Sequence, residues 1–134
     1  MAGRGWVWVA AESVHKPSAA EKAAISATCE TFITGVLMPR FLPEIRPTEF
    51  NYPVAIHGKW LGAKYRFMTR YRCDTPAAHK PEFDAPWARL DCVGRDRFDL
   101  FWHRHTGEWH RVFESVPLAK ALRLIETEPY FFPC

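Results

Sequence analysis

The sequence predicts an α+β fold: a five-stranded, mostly antiparallel sheet with a long N-terminal helix and a shorter C-terminal helix on one face. Three observations predict it. Apolar residues recur at helical spacing from Ala19 to Leu37 and again from Leu118 to Ile125. Between them the pattern changes to alternation, most cleanly where Tyr65, Phe67, Thr69 and Tyr71 interleave with Lys64, Arg66, Met68, Arg70 and Arg72. Two turn signals, Gly94-Arg95-Asp96 and His105-Thr106-Gly107-Glu108, then divide Trp87 to Phe113 into three short runs.

In chain order, Trp6-Val7-Trp8-Val9 is β-prone and predicts an edge strand or a tail within residues 1–17. Ser18 followed by Glu21 forms an S-x-x-E capping box that opens the first helix. Its buried stripe is Ile25, Cys29, Phe32, Ile33, Val36 and Leu37, and Met38-Pro39 should end it. The proline-rich segment from Pro39 to Pro47 predicts a stiff connector packed through Phe41, Leu42 and Ile45. Phe50 to His57 reads as a strand and His57-Gly58-Lys59 as the turn into the next, Leu61 to Arg72. Pro53 argues against a central place for the first of these strands.

Residues 73–86 contain three prolines and no periodicity, which predicts a long loop. After the three-run region, Ser115 is placed to cap a second helix with Pro117 in its first turn, a buried stripe of Leu118, Ala121, Leu122 and Ile125, and a stop at Glu128-Pro129. Tyr130-Phe131-Phe132 should dock on the body.

A chain of 134 residues fits one domain, 1–134, large enough to form a core without disulfide or metal staples. The four cysteines show no C-x-x-C pair, so neither a zinc ribbon nor a disulfide framework is signalled, and reduced thiols in a cytoplasmic protein are expected. Trp6 to Ala11 falls short of a signal-peptide core, and no stretch has transmembrane length, so no membrane partner is expected. A net charge of +3 permits an anionic partner without requiring one. No glycine-rich phosphate loop or dinucleotide fingerprint occurs, and no cofactor is implied.

The turn lengths set two hairpin registers. A three-residue loop at Gly94 places Val93 opposite Arg97, Asp91 opposite Asp99 and Arg89 opposite Phe101. A four-residue loop at His105 places Arg104 opposite Trp109 and His103 opposite His110. One face then collects Ala88, Leu90, Cys92, Phe98, Leu100, Trp102 and Phe113 for the helices to cover. The other collects Trp87, Arg89, Asp91, Asp99, Phe101, His103, His110, Val112 and Glu114, beside the basic side of the Leu61 to Arg72 strand.

Three readings of that outer face follow. A solvated face laced with weak ion pairs is the plainest. As an interaction surface, Trp87, Arg89 and Phe101 with Lys64, Arg66, Arg70 and Arg72 would bind a protein or a nucleic-acid partner, aromatics stacking while cations contact phosphates or carboxylates. As a catalytic site, His103, His110, Asp91 and Asp99 would serve metal-assisted hydrolysis of a phosphate ester or phosphodiester. No H-E-x-x-H or D-x-D motif supports the last of these. The expectation is therefore an interaction module of undetermined oligomeric state.

Phe98-x-Leu100-Phe101-Trp102, then Trp109-His110-Arg111, then Glu128-Pro129-Tyr130-Phe131-Phe132 resembles the bacterial family catalogued as domain of unknown function 3024. Phe41-Leu42-Pro43-x-Ile45-Arg46 is similar to the family's segment before its first strand, so the resemblance spans about residues 25–132. Phe101 stands where the family has tyrosine, and the tail lacks the usual cysteine before its phenylalanine, carrying Cys134 at its end instead. The resemblance implies a small α+β domain of bacterial origin with Trp102, Trp109 and His110 as signature positions; it implies no catalytic role.

Overall fold

Ser18 starts the first helix as its spacing requires: its Oγ accepts from the Glu21 N–H at 3.1 Å, and Glu21 Oε1 accepts from the Ser18 N–H at 2.8 Å. The computed structural model describes residues 15–76, 81–131 and 133. Helix α1 runs as an α-helix over Ala19–Phe32, opens into a π-turn over Ile33–Leu37 and closes with one α-turn over Met38–Phe41. Pro39 therefore does not stop it. The π-turn shifts the bonding frame, so that the Met38 N–H reaches back to the Ile33 carbonyl, and the widened turn accommodates a residue with no N–H of its own. Cys29, Ile33 and Leu37 are buried, with Ile25 and Phe32 packed against the core beside them.

Five strands follow: β1 (Tyr52–Leu61), β2 (Lys64–Arg72), β3 (Glu82–Gly94), β4 (Arg97–His103) and β5 (Trp109–Val116). They form one antiparallel meander in the order β1-β2-β3-β4-β5. Helix α2 (Leu118–Thr127) closes the chain's regular structure. Both helices pack on one face, where Ala121, Leu122 and Ile125 of α2 join Tyr65, Phe67, Leu90, Phe98 and Leu100 in the core. This is the α+β arrangement that the periodicities predict. Trp6 to Val9 lies outside the described residues.

Several local expectations are corrected. Gly58 is mid-strand rather than in a turn, and the β1–β2 turn falls at Gly62-Ala63 with Gly62 at φ 64°. Gly58 faces Phe67 in the register, and a Cβ there would overlap the Tyr65 ring, so its missing side chain makes room for an aromatic that is 2% exposed. Strand β3 begins at Glu82, inside the stretch expected to be a loop, because Phe83 stacks on Tyr71 at 5.4 Å while Glu82 and Asp84 pair with arginines of β2. Ile45 is half exposed, so only Phe41 and Leu42 anchor the connector.

At the other end, Ser115 does not cap α2. It ends a bulged stretch of β5 at φ 49°, and the cap comes from the β3–β4 turn, where Asp96 Oδ1 accepts from the Leu118 N–H at 3.0 Å. Of the C-terminal aromatics expected to dock, Phe131 is buried and Tyr130, 44% exposed, packs on Trp102 at 5.6 Å, while Phe132 lies outside the described residues; the buried Thr69 hydroxyl donates to the Pro133 carbonyl.

Candidate functional site

The face of the sheet away from the helices is built by register. Lys59, Arg66, Arg89, Phe101 and Arg111 form one cross-strand row through all five strands. Like charges opposite one another weaken a strand pair unless compensated, and Arg66 stands directly opposite Arg89. The compensation is in part aromatic, beside the Asp91 carboxylate that pairs with Arg89. The Arg89 guanidinium lies 4.0 Å from the Phe101 ring and 5.0 Å from that of Trp109, and Arg66 lies 5.5 Å from Trp109 on the same indole. His103 meets Trp109 edge-on at 4.7 Å. Burial, with the Arg66 charge adding to it, holds the His103 imidazole below its ordinary pKa.

The carboxylates of this face are taken up within it. Asp91 binds Arg89 through two hydrogen bonds, 2.7 and 3.1 Å, and Arg89 is 8% exposed despite its charge. Asp99, opposite Asp91, is 7% exposed; it accepts from the Ser115 N–H at 2.9 Å and pairs with Arg111 at 3.4 Å. Asp84 pairs with Arg70 and His57, and its carboxyl is held below the usual range chiefly by the Arg70 hydrogen bond. Glu82 pairs with Arg72 at 2.8 Å. Among the described residues, Lys59, Lys64 and Arg66 have no carboxylate within ion-pair distance, and the buried Nε of Arg66 has no acceptor.

The expected pairings Asp91 with Asp99 and Arg89 with Phe101 are present; Gly94, not Val93, faces Arg97, because Val93 is bulged out. The second hairpin is shifted by one residue. Arg104 N–H bonds the Glu108 carbonyl and Gly107 N–H the Arg104 carbonyl, both at 2.9 Å, closing a loop of three residues, one shorter than the four expected, so Trp109 faces His103 and His110 faces Trp102. His110 thereby moves to the helix side, 6.2 Å from Trp102, and Trp109 takes its place on the outer face. Of the four residues considered for catalysis, His103, Asp91 and Asp99 share a face with His110 on the other. Asp91 and Asp99 line a pocket of about 220 Å³ with Lys64 and Arg111, but neither histidine lines it. No group of three or more His, Cys, Asp or Glu among the described residues forms a metal site.

Trp87 is also displaced from its expected place. Phe67 pairs with Ala88 but Met68 pairs with Pro86, so Trp87 is the extra residue of a bulge and turns inward, 6% exposed and 5.6 Å from Phe67. Pro86, which has no N–H for the ladder, places the bulge there. Trp109 is the residue that sequence reading missed. The only signal for it was loop length: Gly107, at φ 90°, suits a three-residue loop as well as a four-residue one.

The molecule is thus a small α+β domain with one face of its antiparallel sheet covered by helices and the other built from arginines and aromatics. The family model described as Domain of unknown function (DUF3024) matches residues 17–133, and the chain belongs to that family. No curated protein and no solved structure matches it. Of the positions that the resemblance marks, Trp102 and His110 face one another on the helix side, and Trp109 holds the centre of the outer face. No helix among the described residues is long and apolar enough to cross a membrane.

Proposed function

We propose that the protein is an interaction module that takes up a protein partner through the outer face of its sheet, with Arg66, Arg89, Phe101 and Trp109 at the centre. The observation that supports this reading is the stack of two arginines on one indole, with His103 edge-on to the same ring and Arg89 tied to Asp91. Trp and Arg are the side chains that dominate binding energy at protein interfaces, and a side chain already fixed loses less entropy on association. A protein is favoured over a nucleic acid because Arg70 and Arg72 are engaged by Asp84 and Glu82, which lie where a phosphate backbone would have to run. The hydrolase reading needs both histidines and both aspartates around one pocket, and no observation favours it.

The test is affinity capture from native cells with the wild-type chain, Arg66→Glu, Trp109→Ala and, as a control on α2, Lys120→Glu. The expected result is one protein species retained by wild type and Lys120→Glu and lost with both outer-face variants, all four being folded by circular dichroism. Retention that is equal in all four would place any interface elsewhere. A salt-sensitive shift of single-stranded DNA or RNA by wild type, lost on joint Arg66→Glu and Arg70→Glu substitution, would favour nucleic acid instead.

A further inference from the structure

Beside the β1–β2 turn, where α1 begins, lies a cavity of about 680 Å³. Its wall is apolar, made by Leu61, Ala63, Pro17 and the aliphatic stems of the surrounding cations. Two of those cations have their charged ends engaged elsewhere, the Lys22 ammonium 5.2 Å from the Trp60 ring and the Arg66 guanidinium 5.5 Å from Trp109. Leu61 is 54% exposed. The chain reaches this corner of the fold from upstream. His15 N–H donates to the Cys92 carbonyl at 3.2 Å and Cys92 N–H to the Ala63 carbonyl at 3.3 Å, so His15 stands against the same turn, and Lys16 and Pro17 after it line the cavity. Of the fourteen residues before His15, residues 5–11 carry no charge and contain Trp6-Val7-Trp8-Val9.

We infer that this cavity is a docking site for the chain's own segment Trp6-Val7-Trp8-Val9, with the two indoles against Leu61 and Ala63. Reach does not limit it: the six Cα–Cα steps from Val9 to His15 span up to roughly 20 Å, and the cavity begins at Lys16. A tether this short holds the segment at an effective concentration on the order of millimolar, ahead of any free competitor of like chemistry. In an extended segment Trp6 and Trp8 point the same way, so both rings meet one wall. Each indole brings about 150–250 Å² of surface to bury, and a cavity of this volume is on the scale that takes up such groups. The uncharged run at residues 5–11 matches the apolar wall and adds no buried charge. Neither Phe101 nor Trp109 takes part, so the inference stands apart from the outer-face proposal.

NMR on the isotopically labelled full chain tests it. Nuclear Overhauser effects are expected from the Trp6 and Trp8 indole protons to the Leu61 methyls. Those methyls should also show upfield ring-current shifts that vanish on joint Trp6→Ser and Trp8→Ser substitution while the rest of the spectrum stays dispersed. Leu61→Asp should speed hydrogen exchange of both indole N–H groups at least tenfold. In a mixture of labelled and unlabelled chains, the isotope-filtered spectrum should contain none of the indole-to-Leu61 effects. Their presence there would assign the segment to a second copy and overturn the inference. Absence of these effects in the full chain, Leu61 shifts indifferent to the double substitution, or indole exchange unchanged by Leu61→Asp would overturn it as well.

Discussion

Arg66 of β2 and Arg89 of β3 stand directly opposite one another, and the indole of Trp109 reaches across from β5 to lie within 5.5 Å of both guanidiniums. Removing that indole leaves two like charges facing each other with only Asp91 and Phe101 to offset them. Trp109→Ala should therefore cost about 1–3 kcal/mol, more than an exposed aromatic would, and Trp109→Phe should recover part of it. Urea denaturation checks this.

Arg89 tests the burial of the ion pair. Its side chain and that of Asp91 are 10% and 19% exposed, so Arg89→Ala strands a half-buried carboxylate and should cost about 2–4 kcal/mol. Arg46 and Glu44 are closer still at 2.5 Å, but are 79% and 61% exposed, and Arg46→Ala should change stability by about 0–1 kcal/mol. Equal effects at the two sites would show that the outer face is hydrated like any other surface.

His103 supplies a pH dependence. Its folded pKa is depressed, so the folded state binds fewer protons than the unfolded chain as pH falls below the ordinary histidine value of about 6.5. The contribution of this site to stability is thus complete above that value and is lost as pH falls through the folded pKa. NMR titration should place the His103 midpoint below the ordinary histidine value of about 6.5, and Arg66→Gln should raise it.

Gly58 tests packing on the other face. Gly58→Ala drives a methyl into the Tyr65 ring and should cost about 1–3 kcal/mol. In a Tyr65→Ala background the same change should cost less than about 0.5 kcal/mol, and the cycle between the two should be strongly non-additive.

How much of this was legible in the chain depends on whether the deciding interaction was local. The Ser18–Glu21 box, the stripe Cys29, Ile33 and Leu37, and the alternation of Tyr65, Phe67 and Thr69 are written within a few residues, and each is realised. Asp91 opposite Asp99 was also readable, because the bulge at Val93 adds back the one residue by which the Arg95-Asp96 turn is shorter than the three-residue loop expected. The inward turn of Trp87, the exchange of Trp109 for His110 and the continuation of α1 past Pro39 each depend on a single residue gained or lost in a bulge, a loop or a π-turn. One residue is too little to read from alternation, yet it reverses the face of every side chain beyond it. The outer face was therefore correctly located with Arg66, Arg89 and Phe101, while its central aromatic was assigned to the wrong tryptophan.

The outer-face proposal is tested most directly by placing a photo-crosslinking amino acid at Lys59, in the same cross-strand row as Arg66 and Arg89, and separately at Lys120 on α2, in native cells. The account predicts one discrete protein adduct from position 59, absent from position 120 and abolished by Trp109→Ala. The same adducts from both positions, or an adduct at position 59 that survives Trp109→Ala in a folded chain, would contradict it.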